Sequence, residues 1–183
     1  MKIHLITKNK HKVDEVTAVM KEFDVEVIHE AREKLETKDS NLKEVVEYNA
    51  RKFYDELKKP VAVDDTGIFF KAYPNFPGSH PRLMFELLGY RGILKLLENE
   101  NRETEFVTMV GYCDEKGFRL FEGRLKCIAD TKVNNLDVDV LPYERIFLVD
   151  GRPLSQFKRK EKNEISHRAI AFRKLGDYIK NKK

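Results

Sequence analysis

The chain has 183 residues, of which 41% are hydrophobic and 36% charged, and its formal net charge is +4. This composition is typical of a folded domain with a sizeable core, and it excludes a disordered or fibrous chain. Basic and acidic residues are interleaved along the sequence. The small excess of positive charge therefore does not by itself indicate a nucleic-acid or membrane partner.

Strand and helix patterns alternate through the first half of the chain. Strands are predicted over residues 2–7, 25–29 and 60–63, and helices over residues 8–23 and 41–57. Asn41 and Glu44 have the spacing of a capping box at the start of the second helix. The third strand, PVAV, runs directly into the polar segment DDTG.

Strand patterns dominate the second half. The sequence predicts a strand over 68–73, a rigid loop over 74–81 and short helices over 82–88 and 91–98. A hairpin over 105–129 that turns at DEKG follows, and then a strand over 145–149 and a last helix capped by Ser166. We therefore expect one α/β domain over residues 1–183, with a mixed sheet. No segment is long and apolar enough for a signal peptide or a membrane span, and Cys113 and Cys127 lack metal-ligand spacing. These features predict a cytoplasmic protein with no membrane partner.

A first polar cluster, TKNKHK, lies between the first strand and the first helix. Ligands of α/β sheets bind beyond the carboxyl ends of strands, and a helix start suits phosphate. The cluster is not a P-loop, because it lacks glycines and the GK[ST] ending. A lysine-rich helix start without a ligand is the alternative.

A second cluster, DDTG, places Asp64 and Asp65 side by side. Adjacent carboxylates repel each other unless a cation or hydrogen-bond donors offset their charge, and Mg²⁺ with phosphate oxygens is one solution. The alternative is a turn formed by the aspartate side chains and closed by Gly67. Glu36 and Glu15 are weaker candidate acids.

A third cluster surrounds the start of the last helix, where Lys162, His167 and Arg168 could meet a phosphate or the edge of a base. An ordinary capped surface helix would also explain these residues. Taken together, the three clusters supply cations at both ends of the chain and an acidic site between them. Phosphoryl transfer needs this combination.

The segments TKNKHKVDEV, LETKDSNLKEVVEYNA, VDDTGIFF, PNFPG and EKNEISHR resemble, in order and spacing, the inosine triphosphate pyrophosphatase family of Ham-type enzymes. The resemblance implies hydrolysis of ITP, dITP and XTP to the monophosphate and pyrophosphate with Mg²⁺. It also implies a homodimer, and an elongated mixed sheet flanked by helices in two lobes with a cleft. Asp65 would activate the water and bind Mg²⁺ together with Glu36. The substrate-binding residues would be Thr7, Lys8, Asn9, Lys10, His11, Lys12, Thr66, Leu141, Tyr143, Glu144, Lys162, His167 and Arg168.

The segment NNLDVDVLPYERIF departs from the family pattern, which has a glycine-rich run followed by FGYDPIF. Leu141 replaces the stacking Phe, Pro142 the Gly, Glu144 the Asp and Arg145 the Pro. We therefore expect a weakened preference for 6-keto purines. A nucleotide-binding relative without turnover and a pyrophosphatase for another nucleotide remain alternatives. An RNA- or DNA-binding module built on KNKHK and FKRKEK is disfavoured, because it lacks a recognised motif and interleaved aromatic residues.

Overall fold

The computed structural model of this chain describes residues 1–35 and 41–182. Its strands are β1 (Lys2–Ile6), β2 (Glu26–Glu30), β3 (Val61–Phe70), β4 (Pro77–Gly78), β5 (Glu103–Asp114), β6 (Gly117–Ala129), β7 (Phe147–Val149) and β8 (Arg152–Pro153). Its helices are α1 (Lys10–Lys21), α2 (Leu42–Leu57), α3 (Pro81–Leu96), α4 (Arg159–Ile165) and α5 (His167–Lys180). Within the described ranges, no helix has both the length and the apolarity that crossing a membrane requires.

The strands pair into one open mixed sheet in the order β2-β1-β3-β5-β6-β7-β8, and β4 pairs with β3. Strand β1 runs parallel to β2 and β3, whereas β4 is antiparallel to β3 and β7 is antiparallel to both β6 and β8. Parallel strands joined by helices, together with a hairpin, confirm the predicted α/β class with a mixed sheet.

Several predicted local signals are present in the structure. The capping box of α2 is formed, because the Asn41 side chain accepts from the Glu44 backbone N–H at 3.0 Å while the Glu44 carboxylate accepts from the Asn41 N–H at 3.2 Å. The hairpin turns between Asp114 and Gly117 as predicted. The two short helices are the two halves of α3, which bends at Gly89 with φ of 57°.

The prediction for DDTG was wrong in one respect, because this segment neither ends a strand nor forms a turn. Strand β3 continues without a break from Val61 to Phe70. Adjacent carboxylates can stay inside a strand here because Asp64 points into the core, where cations meet it, while Asp65 points to the other side. Helix α4 and the two-residue strand β8 are not predicted from the sequence, because they are too short to give a periodic signal.

The chain divides into two compact units. The first comprises Met1–Thr66, Val107–Arg124 and Ile165–Lys183, and the second comprises Gly67–Phe106 and Leu125–Glu164. In the first unit, Leu5 packs with residues of α1 and α5, while Ile6 packs with residues of α2. Since neighbouring strand residues face opposite sides, helices cover both faces of this part of the sheet.

An aromatic cluster organises the second unit around Phe147. Its ring stacks on Tyr143 at a centroid distance of 5.5 Å and meets Phe70 and Phe106 edge-on at 6.1 and 5.4 Å. Phe85 in turn meets Tyr143 edge-on at 5.9 Å. Such contacts add to the free energy of burying the rings, so they hold the segment before β7 firmly to this unit.

Candidate active site

A buried ion-pair cluster lies in the first unit around Asp64, whose side chain is fully inaccessible to solvent. Asp64 Oδ2 lies 2.9 Å from Lys12 Nζ on α1 and 3.1 Å from Arg168 Nε on α5. Arg168 also donates from Nη1 to Glu15, which lies one turn after Lys12 on α1. These contacts tie the centre of β3 to the first turns of two helices.

Charge compensation explains why these groups can be buried in their ionised forms. Burial raises the pKa of Asp64, but Lys12, Arg168 and Lys34 outweigh that effect and lower it below the usual value. Burial lowers the pKa of Arg168, but Asp64 and Glu15 outweigh burial there and raise it. The pKa of Lys12 is lowered, first by its burial and then by Arg168. Asp64 Oδ1 accepts no hydrogen bond from the residues that the structure describes.

Asp65, which is predicted to accept the proton of the attacking water, lies next to this cluster with its side chain 15% exposed. Lys34 Nζ lies 3.0 Å from Asp65 Oδ1 and 3.0 Å from the carbonyl oxygen of Asp64. Lys34 is not predictable from the sequence, because one lysine in a polar segment after a strand carries no distinguishing pattern.

A chain of hydrogen bonds leads from Thr66 to His167. The Thr66 and Thr108 hydroxyls lie 2.7 Å apart, and Thr108 Oγ1 lies 2.6 Å from His167 Nδ1. Burial lowers the pKa of His167 well below its ordinary value, and the positive charge of Arg168 lowers it further. The imidazole is therefore neutral at pH 7. Sequence reasoning could not have found Thr108, because it is one of several alternating residues of a long strand.

The start of α5, which carries His167 and Arg168, lies against the sheet. Ser166 caps the helix by accepting a hydrogen bond from the Ala169 N–H at 3.1 Å, as predicted. Gly123 on β6 permits the close approach, since a Cβ at this position would lie only 2.0 Å from the carbonyl oxygen of His167. The helix start is thus fixed by a cap on one side and by direct backbone packing on the other.

The predicted phosphate loop joins β1 to α1. Asn9 is the N-cap of α1 and accepts from the His11 N–H at 2.9 Å, while the buried Thr7 hydroxyl accepts from the Asn9 N–H at 3.1 Å. His29 Nε2 donates to the Thr7 carbonyl oxygen at 2.8 Å. The loop is therefore held from both sides, and the first N–H groups of α1 follow it.

The remaining cations of the loop are exposed side chains. Lys8, Lys10 and His11 all lie at the surface, and Lys8 Nζ is 3.2 Å from the carboxylate of Glu33 in an exposed ion pair. Exposed pairs of this kind contribute little to stability, so Lys8 can exchange Glu33 for another anion at small cost.

Leu141, Tyr143, Glu144 and Lys162, which are predicted to bind the substrate, lie in the second unit. Glu144 pairs with Lys162 at 2.7 Å. Tyr143 is buried, and its hydroxyl donates to the Pro81 carbonyl oxygen at 2.9 Å. Leu141 is 51% exposed and precedes the short 3-10 helix Pro142–Arg145. The predicted residues therefore form two groups, and Lys162 belongs to a different group from His167 and Arg168.

The metal ligands predicted from sequence are only partly described. Glu36 lies outside the described residues. Among the residues that are described, no three His, Cys, Asp or Glu side chains gather as a metal cluster. Two oxygen atoms, the Asp64 carbonyl oxygen and Asp65 Oδ1, nevertheless contact a cation, the Lys34 ammonium group. Oxygen ligands suit Mg²⁺, which often takes only one or two carboxylates from the protein and completes its shell with phosphates and waters.

The chain is similar in sequence to proteins that are named dITP/XTP pyrophosphatases. It is 33% identical to the dITP/XTP pyrophosphatase of Saccharolobus solfataricus, over 99% of this chain and 95% of that protein. It is also 33% identical to the dITP/XTP pyrophosphatase of Methanopyrus kandleri, over 99% of this chain and 97% of that protein.

Solved structures show the same fold. The HAM1 protein of Coxiella burnetii matches 99% of both chains with a TM-score of 0.80 at 19% identity. The Ham1 protein of Staphylococcus aureus matches the whole of both chains with a TM-score of 0.78, also at 19% identity. The sequence model of the Ham1 family matches residues 3–178. This chain belongs to the Ham1 family.

Proposed function

We propose that this protein hydrolyses the non-standard purine nucleoside triphosphates dITP, ITP and XTP to the monophosphate and pyrophosphate. The observation that carries the proposal is the Asp64 ion-pair cluster, in which Lys12 of the proposed phosphate loop pairs with the residue that precedes Asp65 on β3. The names of the two archaeal relatives support the choice of substrate. Removal of these nucleotides would keep them out of the cellular pool.

The triphosphate would bind at the start of α1. Backbone N–H groups at a helix start and the partial positive charge there favour anions. Lys8 and Lys10 would supply mobile positive charge, while Lys12 is held in place by Asp64. Phosphoryl transfer depends mainly on positioning and charge neutralisation, and the loop supplies both.

Asp65 would accept the proton of the attacking water, which would cleave the bond between the α- and β-phosphates. Its carboxylate is accessible, in contrast to that of the neighbouring Asp64. Asp64 is instead buried, with its Oδ2 paired to Lys12 and Arg168, so we assign it the role of holding these cations in place. Thr66 would assist through its hydrogen-bonded link to Thr108 and His167.

Arg168 also has a structural role that the sequence does not suggest. Its guanidinium donates to both Asp64 and Glu15. These bonds use two of the five N–H groups of the guanidinium, so contact with the edge of a base would not require either bond to break. We propose that Arg168 orients the acidic site through its bonds to Asp64 and Glu15.

We propose Mg²⁺ as the cofactor, held by Asp65 and Glu36. When bound, the ion would neutralise phosphate charge as a Lewis acid. We also propose a homodimer that acts in the cytoplasm, with residues 1–183 forming one functional domain. The family match over residues 3–178 supports the last of these proposals.

A panel of triphosphates tests the reaction and the substrate together. The protein is incubated with Mg²⁺ and dITP, ITP, XTP, GTP, ATP or CTP, and pyrophosphate, orthophosphate and monophosphate are quantified. We expect pyrophosphate and monophosphate from the 6-keto purines, with GTP as the closest competitor. Orthophosphate as the only primary product would contradict the reaction, and faster cleavage of ATP or CTP would contradict the substrate.

A further inference from the structure

The position of Lys34 at the acidic site is fixed by two hydrogen bonds between the Asn49 side chain and the backbone of Leu35, which we call the Asn49 clasp. Neither the predicted motifs nor the proposed reaction explains this clasp. Asn49 on α2 is fully buried, and its side chain accepts from the Leu35 N–H at 2.9 Å while donating to the Leu35 carbonyl oxygen at 2.8 Å. It also donates to the Val45 carbonyl oxygen at 2.8 Å. A buried amide satisfied in this way fixes the backbone next to Lys34, since leaving any of these groups unpaired would be costly.

The environment of the Lys34 ammonium is that of a bound cation. Its nitrogen lies 3.0 Å from a carboxylate oxygen of Asp65 and 3.0 Å from the carbonyl oxygen of Asp64, and its side chain is only 12% exposed. Carboxylate and carbonyl oxygens are also the ligands that hard divalent cations take. A metal ion bound to the same Asp65 oxygen at about 2.1 Å would lie close to the ammonium group, and the two positive charges would repel each other.

We propose that Lys34 is a positioning residue that holds Asp65 in the absence of metal and competes with the divalent ion for Asp65 Oδ1. The inference rests on the proposed function, because it takes Asp65 as the carboxylate that binds the ion. Lys34 keeps the two adjacent carboxylates compensated until metal and substrate arrive, and it is displaced when they bind. The Asn49 clasp sets the strength of this competition by limiting where the lysine can go.

Direct metal binding tests the competition without any turnover. Mn²⁺ is titrated into the full chain without nucleotide, and the free ion is followed by electron paramagnetic resonance. The Lys34→Met variant keeps the apolar stem and removes the charge, so we expect it to bind Mn²⁺ about tenfold more tightly than the wild type, as befits the loss of one close cation in a partly buried site. Lys34→Arg retains the charge and should leave affinity near the wild-type value.

Lys2→Met is the matched control, because Lys2 pairs with Glu26 at 3.2 Å in an exposed position and its loss changes the net charge equally. It should leave Mn²⁺ affinity unchanged. Any result in which Lys34→Met binds Mn²⁺ no more tightly than the wild type, including no binding by either, overturns the proposal. The triphosphate panel on the wild type is a separate measurement, so failure of the proposed reaction is distinguishable from failure of this competition.

Discussion

The two groups of predicted site residues are built on opposite physical principles. In the first unit, Asp64 and Arg168 are buried charges that depend on each other, and neither could remain there alone. In the second unit, Tyr143 is held by ring packing and one hydroxyl bond, while Leu141 is half exposed with no polar group to place. Substitutions in the first group should therefore cause large losses of activity or stability, whereas substitutions in the second group should cause small ones.

Asp65→Asn is expected to have the largest effect, and it tests whether chemistry belongs to the first group. The amide cannot accept the proton of the attacking water, so kcat for dITP should fall about 10²- to 10⁴-fold. Nucleotide binding, measured by calorimetry, should persist. Asp55→Asn is the control, because Asp55 forms an exposed pair with Lys58 and its change should leave kcat unaltered. Wild-type turnover by Asp65→Asn would remove Asp65 from the mechanism.

Arg168→Met comes next and tests the dependence of the buried charges on each other. The variant leaves Asp64 and Glu15 without a partner that both of them use, so the free energy of unfolding should fall by about 3–5 kcal/mol in urea titrations. Arg173→Met on the same helix is matched, since its pair with Glu22 is much more exposed, and it should cost less than about 1 kcal/mol. Equal losses for the two variants would contradict the proposed difference between buried and exposed pairs.

The pH dependence of stability gives an intermediate effect. Burial keeps the pKa of folded His167 well below the value of about 6.5 expected in the unfolded chain. As the pH falls below 6.5, the unfolded chain therefore binds a proton that the folded chain does not. The free energy of unfolding should fall by up to about 1.4 kcal/mol per pH unit until the lowered pKa is reached.

This slope can be isolated by substitution. His167→Gln should flatten the decline in stability between pH 7 and pH 5, measured by thermal or urea unfolding. His11→Gln, which changes an exposed ring in the same unit, should keep the wild-type slope. A slope that survives in His167→Gln would assign the pH dependence to other groups.

Leu141→Phe is expected to have the smallest effect and tests the second group. If Leu141 lies under the base, restoring an aromatic ring should strengthen binding of inosine nucleotides by about 1 kcal/mol, seen as a lower KM for ITP with kcat retained. Stability should hardly change, because the side chain is half exposed. An unchanged KM would mean that Leu141 does not contact the base.

Much of the fold could be predicted because local signals and packing agree. Neighbouring residues determine the helix caps at Asn41 and Ser166 and the hairpin turn at residues 114–117, and the structure contains all three. The break predicted at DDTG failed because two aspartates usually favour turns. Here Lys12 and Arg168, 52 and 104 residues away in the sequence, make the strand tolerable. No local pattern contains that information.

The site was predicted in part for the same reason. Lys12 and Asp65 stand out because charged residues follow or interrupt strands. Lys34, Thr108 and Asn49 contribute through contacts made in three dimensions, and each looks ordinary in sequence. The resemblance to a family identified positions but not partners. It therefore marked Arg168 as a substrate ligand, but it did not indicate the two carboxylates that Arg168 also contacts.

Gly123 makes the site sensitive to substitution at a residue that has no reactive group of its own. The first turn of α5 packs directly on the backbone of β6, and this close contact is possible only because Gly123 has no side chain. A single methyl group at this position would collide with the start of α5 and shift His167 and Arg168 together. A mutational survey that scored only activity would then rank a residue without functional groups beside the charged residues of the cluster. A survey that also scored folding would reveal that it acts by setting the distance between helix and sheet.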